Sequence, residues 1–163
     1  MNYLFVFKKL SIAIMESYKA FRQNPAPRLI MTLLVKNEED MLEENLLFHK
    51  MMGVDGFIIT DNNSSDRTPE IIRKYKEKGW VLDAIDEKAT NYEQKKWVDR
   101  MIWKAKTEYK ADWIINADAD ELWYAPTGNL KSELTSTTAN VLVCEVKSVY
   151  PEENKPFWQW NQT

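Results

Sequence analysis

Apolar residues fall in short unbroken runs along this chain, separated by longer stretches in which they recur every three or four positions. "RLIMTLLV" (28–35) has the length and continuity of a strand buried on both faces, "GFIIT" (56–60) predicts a second buried strand, and "WVLDAID" (80–86) and "DWIINA" (112–117) predict a third and a fourth. "ANVLVCEV" (139–146) has the same character and predicts a fifth strand. Between the first two runs, residues 37–53 carry apolar side chains at 42 and 46, with His49 in the same register, and at 41, 48 and 52. Acids crowd the first turn of that segment, where the helix dipole favours them, and Gly53 stands where a helix ends. "RTPEIIRKYKEKG" predicts the next helix, with Thr68 as cap, Pro69 at the first helical position and Gly79 as the stop. Residues 92–110 predict a third, apolar at 97, 98, 101, 102 and 105.

Strand and helix therefore alternate. That order predicts an α/β fold, a doubly wound and mostly parallel sheet with helices on both faces. In such sheets ligands bind outside the carboxyl ends of the strands. Two prolines in "NPAPR" (24–28) fix φ and extend the residues before them, marking a linker. Residues 1–27 accordingly form an N-terminal amphipathic segment and Pro linker, 28–150 the domain, and 151–163 a Trp-rich tail. The opening "MNYLFVFKKLSIAIM" is broken by Lys8 and Lys9, is too short to span a bilayer and lacks a cleavage site. A helix packed on the domain is the favoured reading, and a peripheral membrane contact the alternative.

Composition narrows the function classes. With 163 residues the chain is long enough for one domain with a core. The net charge is −3 and acids are mixed among the lysine clusters, so there is no basic face and no nucleic-acid partner is expected. Cys144 is the only cysteine, which precludes an internal disulfide and suggests a reducing compartment. The expected location is cytoplasmic, at the inner face of a membrane if the N-terminal segment docks there. Of the seven tryptophans, Trp158 and Trp160 lie in the tail, where an aromatic surface can pack or stack on a sugar.

The informative polar residues collect at the strand ends: "VKNEED" after the first, "TDNNSSDRT" after the second, "NADADE" after the fourth. Asp61, Asn62 and Asn63 are also turn formers, and Ser65 or Asp66 can cap the following helix, so turn and ligand site weigh equally there. Asp118, Asp120 and Glu121 are harder to explain as a turn, because an unpaired charge beside a buried strand is costly. A loop can bring Asp118 and Asp120 to one divalent cation, Mg²⁺ or Mn²⁺, which takes one or two carboxylates and completes its shell with water and phosphate oxygens. An EF-hand is excluded by Leu122 at the fifth loop position and Asn129 at the twelfth. His49, the only histidine, sits at apolar helical spacing and reads as a packed or surface side chain rather than a ligand.

The ordered set of "VKNEED", "GVDGFIITDNNSSDRTPEII" and "ADWIINADADELW", over residues 28 to about 134, resembles the family 2-like glycosyltransferases of GT-A fold. A lone D-x-D is common by chance; three motifs in order at their usual separations are specific. The resemblance implies a metal-dependent glycosyltransferase that moves a sugar from a UDP- or GDP-sugar donor to a glycan or other hydroxyl acceptor. It implies that Val35, Lys36, Asn37 and Glu38 line the nucleoside, and that Asp61, with Asn62 beside it, receives the base or ribose. Asp118 and Asp120 match the D-x-D that holds Mn²⁺ or Mg²⁺ on the donor diphosphate. Arg100 lies near the place of a family arginine facing the diphosphate, with Gln94 and Lys95 as lesser candidates on the same helix. Glu121 is the one candidate for a catalytic role beside the metal.

The family's general base comes well after the D-x-D, from a segment that also builds the acceptor pocket. About forty residues follow Asp120 here, and Glu145, Glu152 and Glu153 among them have no motif around them. The expectation is therefore a GT-A-like domain incomplete at its C-terminus, either a short form or one whose acceptor half comes from a partner. A non-catalytic nucleotide-sugar-binding or assembly module is the alternative function.

Overall fold

The first apolar run becomes β1 (Leu29–Val35), and every residue of it except Leu34 is buried. Such burial requires cover on both faces, and the computed structural model, which describes residues 26–89, 93–135 and 137–146, supplies it. β2 (Gly56–Asp61) pairs with β1 in parallel, from Ile30 opposite Gly56 to Val35 opposite Asp61. β3 (Val81–Asp86) adds to the far side of β2, and β4 (Trp113–Ala117) to the free side of β1, both parallel. The order across the sheet is β3-β2-β1-β4. The expected α/β class and parallel sheet are observed.

Helices cover both faces because alternate strand residues face opposite ways. Leu29, Met31, Leu33 and Val35 of β1 pack with Leu42 and Leu46 of α1 (Leu42–Met51) and with Ile72 and Tyr75 of α2 (Thr68–Glu77). Ile30 of β1 and Ile58 of β2 face the other way, onto Met101 and Ala105 of α3 (Gln94–Thr107). A short α4 (Leu130–Thr135), not foreseen from the sequence, docks below the sheet. There the Leu130 N–H donates to the Met52 carbonyl at 2.9 Å, and Lys131 Nζ lies 2.6 Å from Asp55 Oδ1.

The helix stops act as expected. Gly53 and Gly79 adopt φ of +96° and +74°, the left-handed region where a side chain is strained. Thr68 does not cap α2. It lies inside the first turn, and its hydroxyl is taken by the Glu38 N–H at 2.8 Å, while Asp66 Oδ1 accepts the Thr68 N–H at 2.9 Å. Residues 139–146 form no strand: Val141, Val143 and Val146 are exposed, and no described segment pairs with the outer edge of β4. Apolar composition confers strand propensity, but a strand also needs a neighbouring edge to accept its hydrogen bonds. The N-terminal amphipathic segment, the first two residues of the linker and the Trp-rich tail lie outside the described residues. Among the described residues, no helix is long and apolar enough to cross a membrane.

Gly56, at the start of β2, has the Leu82 side chain directly over it: a Cβ there would stand 2.6 Å from Leu82 Cγ and Cδ1. Gly56→Ala is expected to destabilise the fold by about 1–2 kcal/mol through overpacking. Denaturant unfolding checks this; equal midpoints would mean that β3 moves aside freely.

Candidate functional site

Topology creates the site. The chain steps outward from β1 through β2 to β3, then returns through α3 to the opposite side of β1, so β1 and β4 are neighbours with diverging connections. A crevice opens at such a switch point, beyond the carboxyl ends of the two strands. The loop after β1 and the acidic turn after β4 meet there.

The loop after β1 is held to the loop after β2 by a set of short polar bonds. Asn37, at φ +56°, donates its N–H to Ser64 Oγ at 2.8 Å and accepts the Ser65 N–H on Oδ1 at 2.8 Å. The Glu39 N–H reaches Asp66 Oδ2 at 3.1 Å, and Glu39 Oε2 accepts from the N–H and Nε of Arg67 at 2.9 and 3.1 Å. Asp61 is nearly buried; its Oδ1 accepts the Ser64 N–H at 3.1 Å, and the neighbouring Asn62 N–H donates to the Val35 carbonyl at 2.9 Å. For Ser64, Ser65 and Asp66 the turn role accounts for every polar group named here. Sequence reading offered Ser65 and Asp66 as helix caps and did not single out Ser64; none was seen as a staple between two loops, since the partners lie about thirty positions apart.

After β4 the alternation of buried and exposed positions continues through the acidic turn. Ala117 and Ala119 are buried, and Asp118 and Asp120 point outward. The turn closes on itself: the Glu121 N–H donates to the Asp118 carbonyl at 3.1 Å, and Glu121 Oε2 accepts the Asp118 N–H at 3.3 Å and Trp123 Nε1 at 3.4 Å. Neither the Asp118 nor the Asp120 carboxylate has a cationic or hydrogen-bonding partner among the described residues.

The electrostatics follow from that lack of compensation. Burial first, then the charges of Glu121 and Asp120, hold the Asp118 carboxyl above the usual range. Glu38 is raised as well, by burial and then by Asp120, Asp40, Asp118 and Asp66 in that order. Glu38 from the β1 loop and the acids of the β4 turn thus feel one another across the crevice. Burial, and after it this mutual repulsion, disfavours their charged forms.

The other sequence candidates are distributed around this edge. Val35 is buried at the end of β1 and Lys36 is exposed just beyond it. Asp61 and Asn62 stand at the adjacent end of β2. Arg100 is elsewhere: its Nη2 binds Glu87 Oε2 at 2.8 Å beyond β3, the edge strand on the opposite side of the sheet from β4. Three inter-strand steps, about 14 Å, lie between those two edges. Glu87 is held low by the Ala89 N–H and then by Arg100, so this pair satisfies itself. Gln94 and Lys95 are exposed on α3, and Lys95 pairs with Asp99 one turn on, at 2.6 Å.

Two side chains of α1 also reach the acidic turn. Asn45 Nδ2 donates to the carbonyls of Ala119 at 2.8 Å and Glu121 at 3.0 Å, and His49 Nε2 accepts the Trp123 N–H at 2.9 Å. His49 is fully buried, as the sequence suggested, and burial pushes it down to about 4. Its contact with the acidic turn was not legible, because seventy-four positions separate the partners.

Residues 31–142 match the sequence model described as glycosyltransferase family 92. No curated protein sequence matches the chain. Among solved structures, the chain is similar to S. aureus TarS 1–349, with a TM-score of 0.47 and 18% identity over 66% of this chain and 31% of that one. A second structure of S. aureus TarS gives a TM-score of 0.43 and 18% identity over 57% and 16%. Mannosyltransferase PcManGT from Pyrobaculum calidifontis, in complex with GDP-Man and Mn²⁺, gives 0.46 and 20% identity over 76% and 37%. The chain spans well under half the length of each of these proteins.

Proposed function

The chain belongs to glycosyltransferase family 92, and we propose that its crevice between β1 and β4 is the nucleotide-diphosphate-sugar site of a metal-dependent sugar transfer to a glycan or other hydroxyl acceptor. The observation that carries this reading is the convergence of Glu38, Asp118 and Asp120 at the switch point, where no lysine or arginine among the described residues pairs with them. The motif order that resembles family 2-like transferases supports the same assignment.

The donor set fits a hard divalent ion. Among the described residues, no three His, Cys, Asp or Glu side chains are grouped to cage a metal. Asp118 and Asp120 alone would hold Mn²⁺ or Mg²⁺ incompletely, and an incomplete protein shell leaves positions for water and diphosphate oxygens. Bound there, the ion would supply Lewis-acid stabilisation of the charge that gathers on the departing diphosphate. The chain's own groups do the rest. The stapled loops of Asn37–Glu39 and Asn62–Asp66 form a preorganised wall for the nucleoside, with Val35 beneath it and the Asp61 carboxylate at its edge. Glu121 is tied to the Asp118 backbone N–H and the Trp123 indole N–H, which makes it a brace of the turn.

Calorimetric titration with UDP and with GDP, first with Mn²⁺ and then with EDTA, tests the proposal. Heat that appears only with the metal establishes the donor site and names the base. No binding in either condition by a folded sample overturns it. Metal-dependent binding without release of nucleotide from any sugar donor would instead favour a donor-binding module.

A further inference from the structure

Asn45 and His49 lie one turn apart on α1, and neither side chain is exposed. Between them they hold three backbone groups of the acidic turn: the Ala119 and Glu121 carbonyls and the Trp123 N–H. The direction of every bond is determined. A backbone N–H can only donate, so His49 Nε2 must be bare and accept from Trp123. The proton of the neutral ring is therefore on Nδ1, which lies 2.9 Å from both the backbone carbonyl and Oδ1 of Asn45. Oδ1 turned toward the ring leaves Nδ2 turned toward the acidic turn, and its two hydrogens meet two carbonyls. No donor or acceptor is left to choose another arrangement, so the chain of bonds has one polarity and one geometry.

We infer that Asn45 and His49 are positioning residues: a buried clamp that fixes the backbone on both sides of Asp120, and so sets the two aspartates against the cation and diphosphate. The inference rests on the donor-site reading of Asp118 and Asp120. The physical need is plain. Adjacent carboxylates repel, and a turn left to itself would open to separate them. Fixing the carbonyls of Ala119 and Glu121 from inside the core resists that opening before any metal arrives. A packed histidine with no such role would be replaceable by any side chain of equal stability.

The test separates the two halves of the ring. A glutamine places its amide oxygen near the position of Nε2, whereas an asparagine reaches only the position of Nδ1. His49→Gln therefore keeps an acceptor for the Trp123 N–H, and His49→Asn loses it. With Mn²⁺ and UDP or GDP as probes, His49→Asn and Asn45→Ala are expected to weaken metal-dependent binding by about ten-fold or more, the loss typical of an outer-shell support. His49→Gln is expected to stay within about three-fold of wild type, although thermal melting should find both histidine variants destabilised. Equal affinities for His49→Gln and His49→Asn, beside a binding wild type, overturn the clamp alone. No metal-dependent binding by the wild type overturns the donor-site reading, and the metal role of the clamp with it. Should the variants fail to fold, the imidazole ¹⁵N spectrum of the wild type decides: a protonated Nδ1 and a bare Nε2 are expected, and the opposite tautomer sinks the inference.

Discussion

Asp118→Asn and Asp120→Asn are each expected to abolish Mn²⁺-dependent nucleotide-diphosphate binding while leaving the metal-free fold slightly more stable. The two effects have opposite signs and one cause. The carboxylates stand unpaired beside buried Ala117 and Ala119, and burial together with Glu121 and Asp120 raises the Asp118 carboxyl. A raised acid binds its proton more readily folded than unfolded, so its ionisation costs stability as pH rises through that window. The neutral amide removes that cost. Asp118 is substantially exposed, and solvent screening limits the gain to a few tenths of a kcal/mol, or about 1–2 °C in melting temperature. The loss of affinity is far larger. With two carboxylates as the whole protein shell, removing one should weaken metal-dependent binding on the order of 100-fold or more. Calorimetry with UDP or GDP and melting without metal measure both quantities on one sample. A variant that binds normally, or that melts lower while binding normally, would falsify the metal assignment.

Acidification is expected to destabilise the protein between about pH 6.5 and pH 4, with His49 as the main cause. Burial holds the His49 imidazole down to about 4 from an ordinary value of 6.5, and the Nδ1–H donated to the Asn45 carbonyl offsets only part of that. In the window between those values the unfolded chain carries the extra proton and the folded chain does not. Stability therefore rises with pH across it, and its contribution is lost as pH falls. A shift of that size corresponds to about 3 kcal/mol, a large share of a small domain's total stability. Protonating Nε2 would also set a donor against the Trp123 N–H and unmake the clamp. His49→Gln should flatten the slope of unfolding free energy against pH in this window. The part due to Glu43, held low by Lys74 and Tyr75, should persist. An unchanged slope in His49→Gln would assign the acid sensitivity to the carboxylates instead.

Elements that depend on local pattern were legible without coordinates. The apolar runs became β1 to β4 and the segments between them helices, with β1 and β2 almost wholly buried at the centre of the sheet and β3 and β4 at its edges only partly so. The acidic turn could be placed from the sequence because three carboxylates follow directly on an apolar run, where an unpaired charge is costly. The fifth strand failed because residues 139–146 have the composition of a strand but no described edge to pair with. Thr68 failed as a cap because a loop thirty positions earlier claims its hydroxyl.

The sequence by itself determined the α/β class, the places where strands stop, and the acidic turn that follows one of those stops. These follow from burial and backbone conformation over a few neighbouring positions. Only the tertiary structure decided that β4 lies beside β1, which sets Glu38 against Asp118 and Asp120 and leaves Arg100 with Glu87 near the other edge. It also turned a lone buried histidine and an asparagine into the support of the acidic turn. Hydrogen bonds and charges act across space within a few ångströms, and when the partners stand seventy-four positions apart no periodicity along the chain records them.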